Sequence, residues 1–175
     1  MNRTATPYQA YLDLPDHLRA EYVGGVIIVK PPPSPLHQLI CGRLNDLLSA
    51  ALPRATVAVS VGWALRPDGS GVRVPDVSVL DHDPSDKLLV VPPLVVIEVL
   101  SANRSEDLVR KSTDYLDAGA GQYWIVDPRD RLLDAYLNTP TGWEPLAGLT
   151  DDNPTGTVEV SGYGAVGLDL SQLLP

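Results

Sequence analysis

The stretch Leu94-Val95-Val96-Ile97-Glu98-Val99-Leu100 limits what this chain can fold into more than any other segment. Nearly every position is aliphatic, and a strand that is apolar on successive residues has to be covered on both faces. It belongs inside a sheet with other layers above and below. Glu98 is the exception within it. A carboxylate buried there must be paired, protonated or bound to a metal. The alternative is an edge strand with Glu98 on a wet face. Alternation puts Val96, Glu98 and Leu100 on one side, so that side is not uniformly polar. The cost of burying an unpaired charge gives Glu98 a functional expectation.

The neighbouring segments supply the rest of the sheet. Glu21 to Lys30 reads as a hairpin turning at Gly24-Gly25, and Thr56 to Leu65 and Val72 to Leu80 are β-rich. Ser34 followed by Pro35 predicts a helix cap and first turn. That helix runs to about Leu52, with Leu36, Ile40, Leu44, Leu47 and Ala51 on one face and Cys41 as a small core residue. A second helix is expected from a Ser105 cap, with Glu106 and Asp107 in its first turn, to a stop at Gly119. Tyr123 to Val126 and Leu132 to Leu137 predict two strands around an Asp127-Pro128 turn. The Gly- and Pro-rich remainder from Asn138 reads as strand, loop and closing turn. The expected architecture is α/β, a mixed sheet flanked by helices, forming one domain over residues 1–175.

Composition narrows the function classes. Of 175 residues, 44% are apolar and 20% charged, as in a globular protein. No apolar run approaches a membrane span. Met1 to Ala10 lacks the apolar core of a signal peptide. Cys41 is the lone cysteine, which excludes an intramolecular disulfide and a cysteine-based zinc cluster and makes a reducing cytoplasm the default setting. The net charge of −9 argues against coating nucleic acid. It is unevenly spread: residues 1–75 carry seven basic and five acidic groups, residues 76–175 six and seventeen. Such an acidic half repels DNA or concentrates divalent cations.

Asp76, in Val74-Pro75-Asp76-Val77, lies in a β-rich stretch that Pro75 must distort or leave at an edge. The bend could aim Asp76 into a cleft, although Pro-Asp is also ordinary turn chemistry. Two carboxylates on neighbouring strands form the oxygen-rich set that Mg2+ or Mn2+ prefers. On the second helix, Leu108, Ser112, Tyr115 and Leu116 form the buried arc, and Glu106, Arg110, Thr113, Asp114 and Asp117 the polar one. Lys111 stands at their border beside Tyr115. It either snorkels over apolar surface or reaches the carboxylates to orient water and offset phosphate charge. His37 reads as a core or cap histidine before it reads as a ligand. Glu21 is either a third acid of the site or a solvated charge. Tyr123-Trp124 reads as core packing rather than a base-stacking platform.

Taken in order, Glu21 to Gly25, Pro32 to His37, Val74 to Val79, Val96 to Ser101 and Lys111 to Pro128 resemble the Uma-two family of restriction-endonuclease-like proteins, long catalogued as a domain of unknown function. The resemblance covers nearly the whole chain. It implies the PD-(D/E)XK nuclease fold, with Asp76 as the motif aspartate, Glu98 as the motif acid and Glu21 as the acid from the N-terminal region. Leu100 stands where the simplest Glu-x-Lys motif has lysine; in this family the lysine comes from the next helix, which points to Lys111. Val26 and Gln122 occupy positions where relatives often carry acids. The implied activity is metal-dependent hydrolysis of nucleic acid, DNA foremost, with Mg2+ or Mn2+ on Asp76, Glu98 and the Val99 carbonyl. A homodimer is implied by family analogy. Two alternatives stand beside it: a catalytically inactive nuclease fold kept as an interaction module, and a metal-dependent hydrolase of other substrates.

Overall fold

The structure is a computed structural model describing residues 6–15, 17–101 and 105–175; the side chains of Ser105, Glu106 and Asp107 also lie outside the description. Helix α1 (Tyr8–Leu12) leads into the hairpin β1 (Ala20–Val23) and β2 (Val26–Val29). Gly24 and Gly25 have φ of 57° and 77°, the paired positive values that a tight hairpin turn needs and glycine supplies. Next comes α2 (Pro35–Ala51), where the Ser34 side chain accepts from the His37 N–H and Pro35 opens the first turn, as the sequence predicts.

The two β-rich stretches that follow are each divided rather than continuous. Thr56 to Leu65 becomes β3 (Thr56–Val59) and β4 (Trp63–Ala64), and Val72 to Leu80 becomes β5 (Gly71–Arg73) and β6 (Val77–Leu80). In both, one half joins each of two sheets. Pro75 has no N–H to give a ladder, and the second crossing occurs around it. The chain continues through β7 (Val95–Val99), α3 (Ser105–Asp117), β8 (Gln122–Asp127) and β9 (Leu132–Thr139). Gly119 closes α3 with φ of 86°. The expected Ser105 cap and acidic first turn fall on side chains outside the described ones. Asp127 Oδ1 accepts from the N–H groups of Arg129 and Asp130, which ties the turn between β8 and β9.

The C-terminal expectation needs correction. Instead of strand, loop and turn, the chain forms β10 (Gly142–Leu149), the hairpin β11 (Thr155–Val160) and β12 (Gly164–Asp169), and a short α4 (Leu170–Leu173). Val158 and Val160 point inward while Thr157 and Glu159 face out, so this hairpin obeys strand alternation despite its glycines.

The large sheet has the order β10-β9-β8-β7-β6-β3, with β7 and β8 parallel. A smaller sheet has the order β2-β1-β5-β4. Strand β7 is buried along its whole length, flanked by β6 and β8, as its aliphatic run requires. Val95, Ile97 and Val99 pack toward α2 and the β11–β12 hairpin, while Val96 faces Tyr115 and Tyr123 on the α3 side. The inward face of α2 is Ile40, Cys41, Leu44 and Leu48; Leu36 is exposed, and Leu47 and Ala51 are only partly covered. The apolar stripe thus starts one turn later than the periodicity predicts. Trp124 and Tyr123 are buried on opposite faces, as packing residues. No helix among the described residues is long and apolar enough to cross a membrane.

Candidate active site

The two sheets and two helices leave a cleft of about 600 Å³ between them, lined by Arg19, Glu21, His37, Asp76, Glu98 and Lys111 among others. Asp76 reaches it because the chain changes sheets there. The β6–β7 ladder ends at Val77 opposite Ile97, and beyond it Pro75 interrupts strand pairing. The Asp76 carboxylate takes over, accepting the Val99 N–H on Oδ2 at 2.9 Å. The same oxygen lies 3.1 Å from His37 Nε2, and Oδ1 accepts from Arg19 Nη2 at 3.2 Å.

Glu98 turns from β7 toward α3, on the side of Val96. Lys111 Nζ donates to Oε2 at 2.7 Å and the Tyr115 hydroxyl to Oε1 at 2.6 Å. Lys111 and Tyr115 are four residues apart, so one helix face presents both. Glu98 is 4% exposed and Lys111 7%, which removes both the wet-edge and the free-snorkelling readings. Glu21 is fully buried on β1, against the solvated alternative. It accepts from Arg73 at 2.8 Å and lies 3.3 Å from Lys30 and 3.6 Å from Lys111. Arg73 also meets Asp114 of α3 at 2.7 Å, which takes Asp114 off the purely solvent-facing arc.

Burial pushes the Glu98 carboxyl up to about 7, against the pull of Lys111. Burial also raises the Tyr115 phenol, and the Glu98 charge adds to it. For Asp76, burial acts upward but is outweighed, mainly by His37, so its carboxyl stays below the usual range. His37 is pushed up to about 10, first by its bond to Asp76 and then by Cys41, whose Sγ is 3.6 Å from Nδ1. The expected core histidine therefore has its ring on the cleft, not in the core.

The donor set suits a small hard cation. A carboxylate from the crossing just before β6 and one from β7 line one open cleft. Among the described residues Asp76 Oδ1 accepts from a single donor where Oδ2 has two partners. Among the described residues no three His, Cys, Asp or Glu side chains form a metal cluster. Mg2+ is commonly held by one or two carboxylates with water and substrate oxygens completing its shell, rather than by an all-protein cage.

The sequence matches the family described as "Uma2: Putative restriction endonuclease" over residues 8–163. The chain belongs to this family. No curated protein matches it. Among solved structures, a crystal structure from Anabaena variabilis, described as a putative nuclease belonging to DUF820, is similar with a TM-score of 0.73. The two are 21% identical, over 95% of this chain and 96% of that one, a likeness that speaks for the fold.

In this Uma2 chain the residues singled out from sequence, Asp76, Glu98, Lys111, Glu21 and His37, all line the same cleft, and Val99 joins them. Gln122 is structural: its amide donates to the Glu159 carbonyl at 2.7 Å and its Oε1 accepts from the Trp124 indole at 2.9 Å. Sequence reasoning passes over Arg73 and Arg19. Arg73 sits between Val72 and Val74, a charge inside an apolar run, which is the same signal that marks Glu98. Arg19 carries no such signal.

Proposed function

We propose that this chain is a Mg2+-dependent endonuclease, served also by Mn2+, that hydrolyses phosphodiester bonds of nucleic acid, DNA foremost. One observation carries the reading: the carboxylates of Asp76, just before β6, and Glu98, on β7, line a single cleft with an ammonium 2.7 Å from Glu98. Asp76, Glu98 and the main-chain carbonyl of Val99 are the ligands assigned to the ion. Bound there, the ion supplies Lewis-acid polarisation of the phosphate and makes nearby water more acidic. Lys111 orients the attacking water and offsets negative charge growing on the phosphate oxygens. Tyr115 fixes the Glu98 carboxylate, and Glu21, held by Arg73, keeps a second acid beside Lys111. Water oxygen bonds to phosphorus, the ester P–O bond breaks, and the leaving oxygen takes a proton.

Calorimetric titration of Mn2+ into wild type, Asp76→Asn and Glu98→Gln, followed by cleavage assays on DNA, RNA and small phosphodiesters, tests this. Binding and cleavage that vanish in folded variants support the assignment, and full activity in either variant removes it. The same reading takes residues 1–175 as one cytoplasmic domain working as a two-fold pair, for which sedimentation should give twice the 18.8 kDa chain mass.

A second reading, an inactive nuclease fold kept for interaction, is favoured by the occupancy of both carboxylates. Lys111 and Tyr115 hold Glu98, Arg19 and His37 approach Asp76, and the chain carries −9. A wild-type protein that binds no Mn2+, alone or with DNA, would select it.

A further inference from the structure

Arg19 stands on the cleft wall just before β1. Its Nη2 donates to Asp76 Oδ1, while its Nε is buried and, among the described residues, has no hydrogen-bond partner. An orphaned buried donor is rare in a folded protein and calls for a partner. The Nε and Nη2 hydrogens lie along one edge of the planar guanidinium, the edge that grips two oxygens of a carboxylate or phosphate at once. Asp76 fills only half of it, because its Oδ2 is turned to the Val99 N–H and His37. The side chain as a whole is 27% exposed while Nε itself is buried, so presenting the full edge to a ligand takes a turn of the guanidinium once Asp76 lets go.

Competition follows from the lone-pair count. Any further ligand of Asp76 must come to Oδ1, the oxygen Arg19 now holds. A cation arriving there weakens the hold of Asp76 on Arg19 and leaves the guanidinium edge beside it. Two other cleft cations are already committed, Lys111 to Glu98 and Lys30 to Glu21. Arg129, on the turn after β8, also lines the cleft but is not among the described partners of Asp76.

We propose that Arg19 is an anion clamp: it pins Asp76 before a cation arrives and grips the non-bridging oxygens of a substrate phosphodiester once a cation sits on Asp76. This rests on the nuclease reading above.

The test uses the full chain with Arg19→Gln and Arg19→Lys, each checked for folding by thermal melting. Mn2+ affinity is read by calorimetry. Affinity for a fluorescein-labelled single-stranded oligodeoxynucleotide is read by anisotropy, with Ca2+ in place of Mn2+. Arg19→Gln should bind Mn2+ as tightly as wild type or tighter and bind the oligonucleotide about tenfold more weakly. Arg19→Lys, which keeps the charge but not the edge, should fall between, and it carries the test alone if the glutamine variant fails to fold. Unchanged oligonucleotide affinity overturns the clamp alone. Mn2+ and oligonucleotide affinity falling together also overturns it, since a purely structural latch on Asp76 gives that result. Wild-type protein that binds neither Mn2+ nor the oligonucleotide overturns the nuclease reading, and the clamp with it.

Discussion

Arg73 is 1% exposed and joins Glu21 of β1 to Asp114 of α3. Removing it takes the nearest partner from the fully buried Glu21, leaving Lys30 and Lys111 at 3.3 and 3.6 Å, and unpairs Asp114 from the sheet. Arg73→Met should therefore cost roughly 3–5 kcal/mol in urea denaturation. Lys111→Met should cost less, about 1–3 kcal/mol. There Glu98 retains the Tyr115 hydroxyl and, with its carboxyl already pushed up to about 7, can take a proton instead of standing charged. The opposite order would show that the Glu98 pair, not the Arg73 bridge, ties α3 to the sheets. These residues were unevenly legible. Asp76 and Glu98 announce themselves because a carboxylate in an apolar run needs a reason. Arg19 does not, because its importance comes only from a contact with a residue 57 positions away.

Elements and their ends were easier to read than their partners. Ser34, Pro35, Gly24, Gly25 and Gly119 act through local backbone geometry, so each marked a boundary without knowledge of the rest. Ser34→Ala should accordingly lower stability by about 1 kcal/mol, read as a shift in denaturant midpoint. Gly121 acts differently. A Cβ there would sit 2.6 Å from the Leu94 carbonyl oxygen, at the point where β8 enters its pairing with β7. Gly121→Ala should destabilise by about 1–3 kcal/mol. It should also weaken Mn2+ binding, since Glu98 rides on the displaced β7; a stability loss with unaltered Mn2+ affinity would show that the strain stops short of the cleft. The division of Thr56 to Leu65 and Val72 to Leu80 between two sheets was not legible, because strand periodicity looks the same whichever sheet a strand joins.

For the molecule as a whole, the nuclease reading predicts a coupling between cation binding and stability. Free Mn2+ at about a hundred times its dissociation constant should stabilise by about 2.7 kcal/mol, or roughly 5–10 °C in melting temperature for a chain of this size. Chelator should reverse the shift, and Asp76→Asn should not show it; an equal shift in that variant would place the ion elsewhere.

The sequence by itself determined the α/β class, a central buried strand at Val95–Val99, the two main helices and the presence of carboxylates needing partners. All of these follow from local patterns of burial, turn chemistry and charge. Only the tertiary structure decided that Pro75 hands the chain from one sheet to the other, and that α3 brings Lys111 and Tyr115 onto Glu98. The close of Arg73 on Glu21 and Asp114, and of Arg19 on Asp76, belongs to the same class. These are pairings across long sequence separations, and they depend on which surfaces meet when the layers pack, information that no single segment carries.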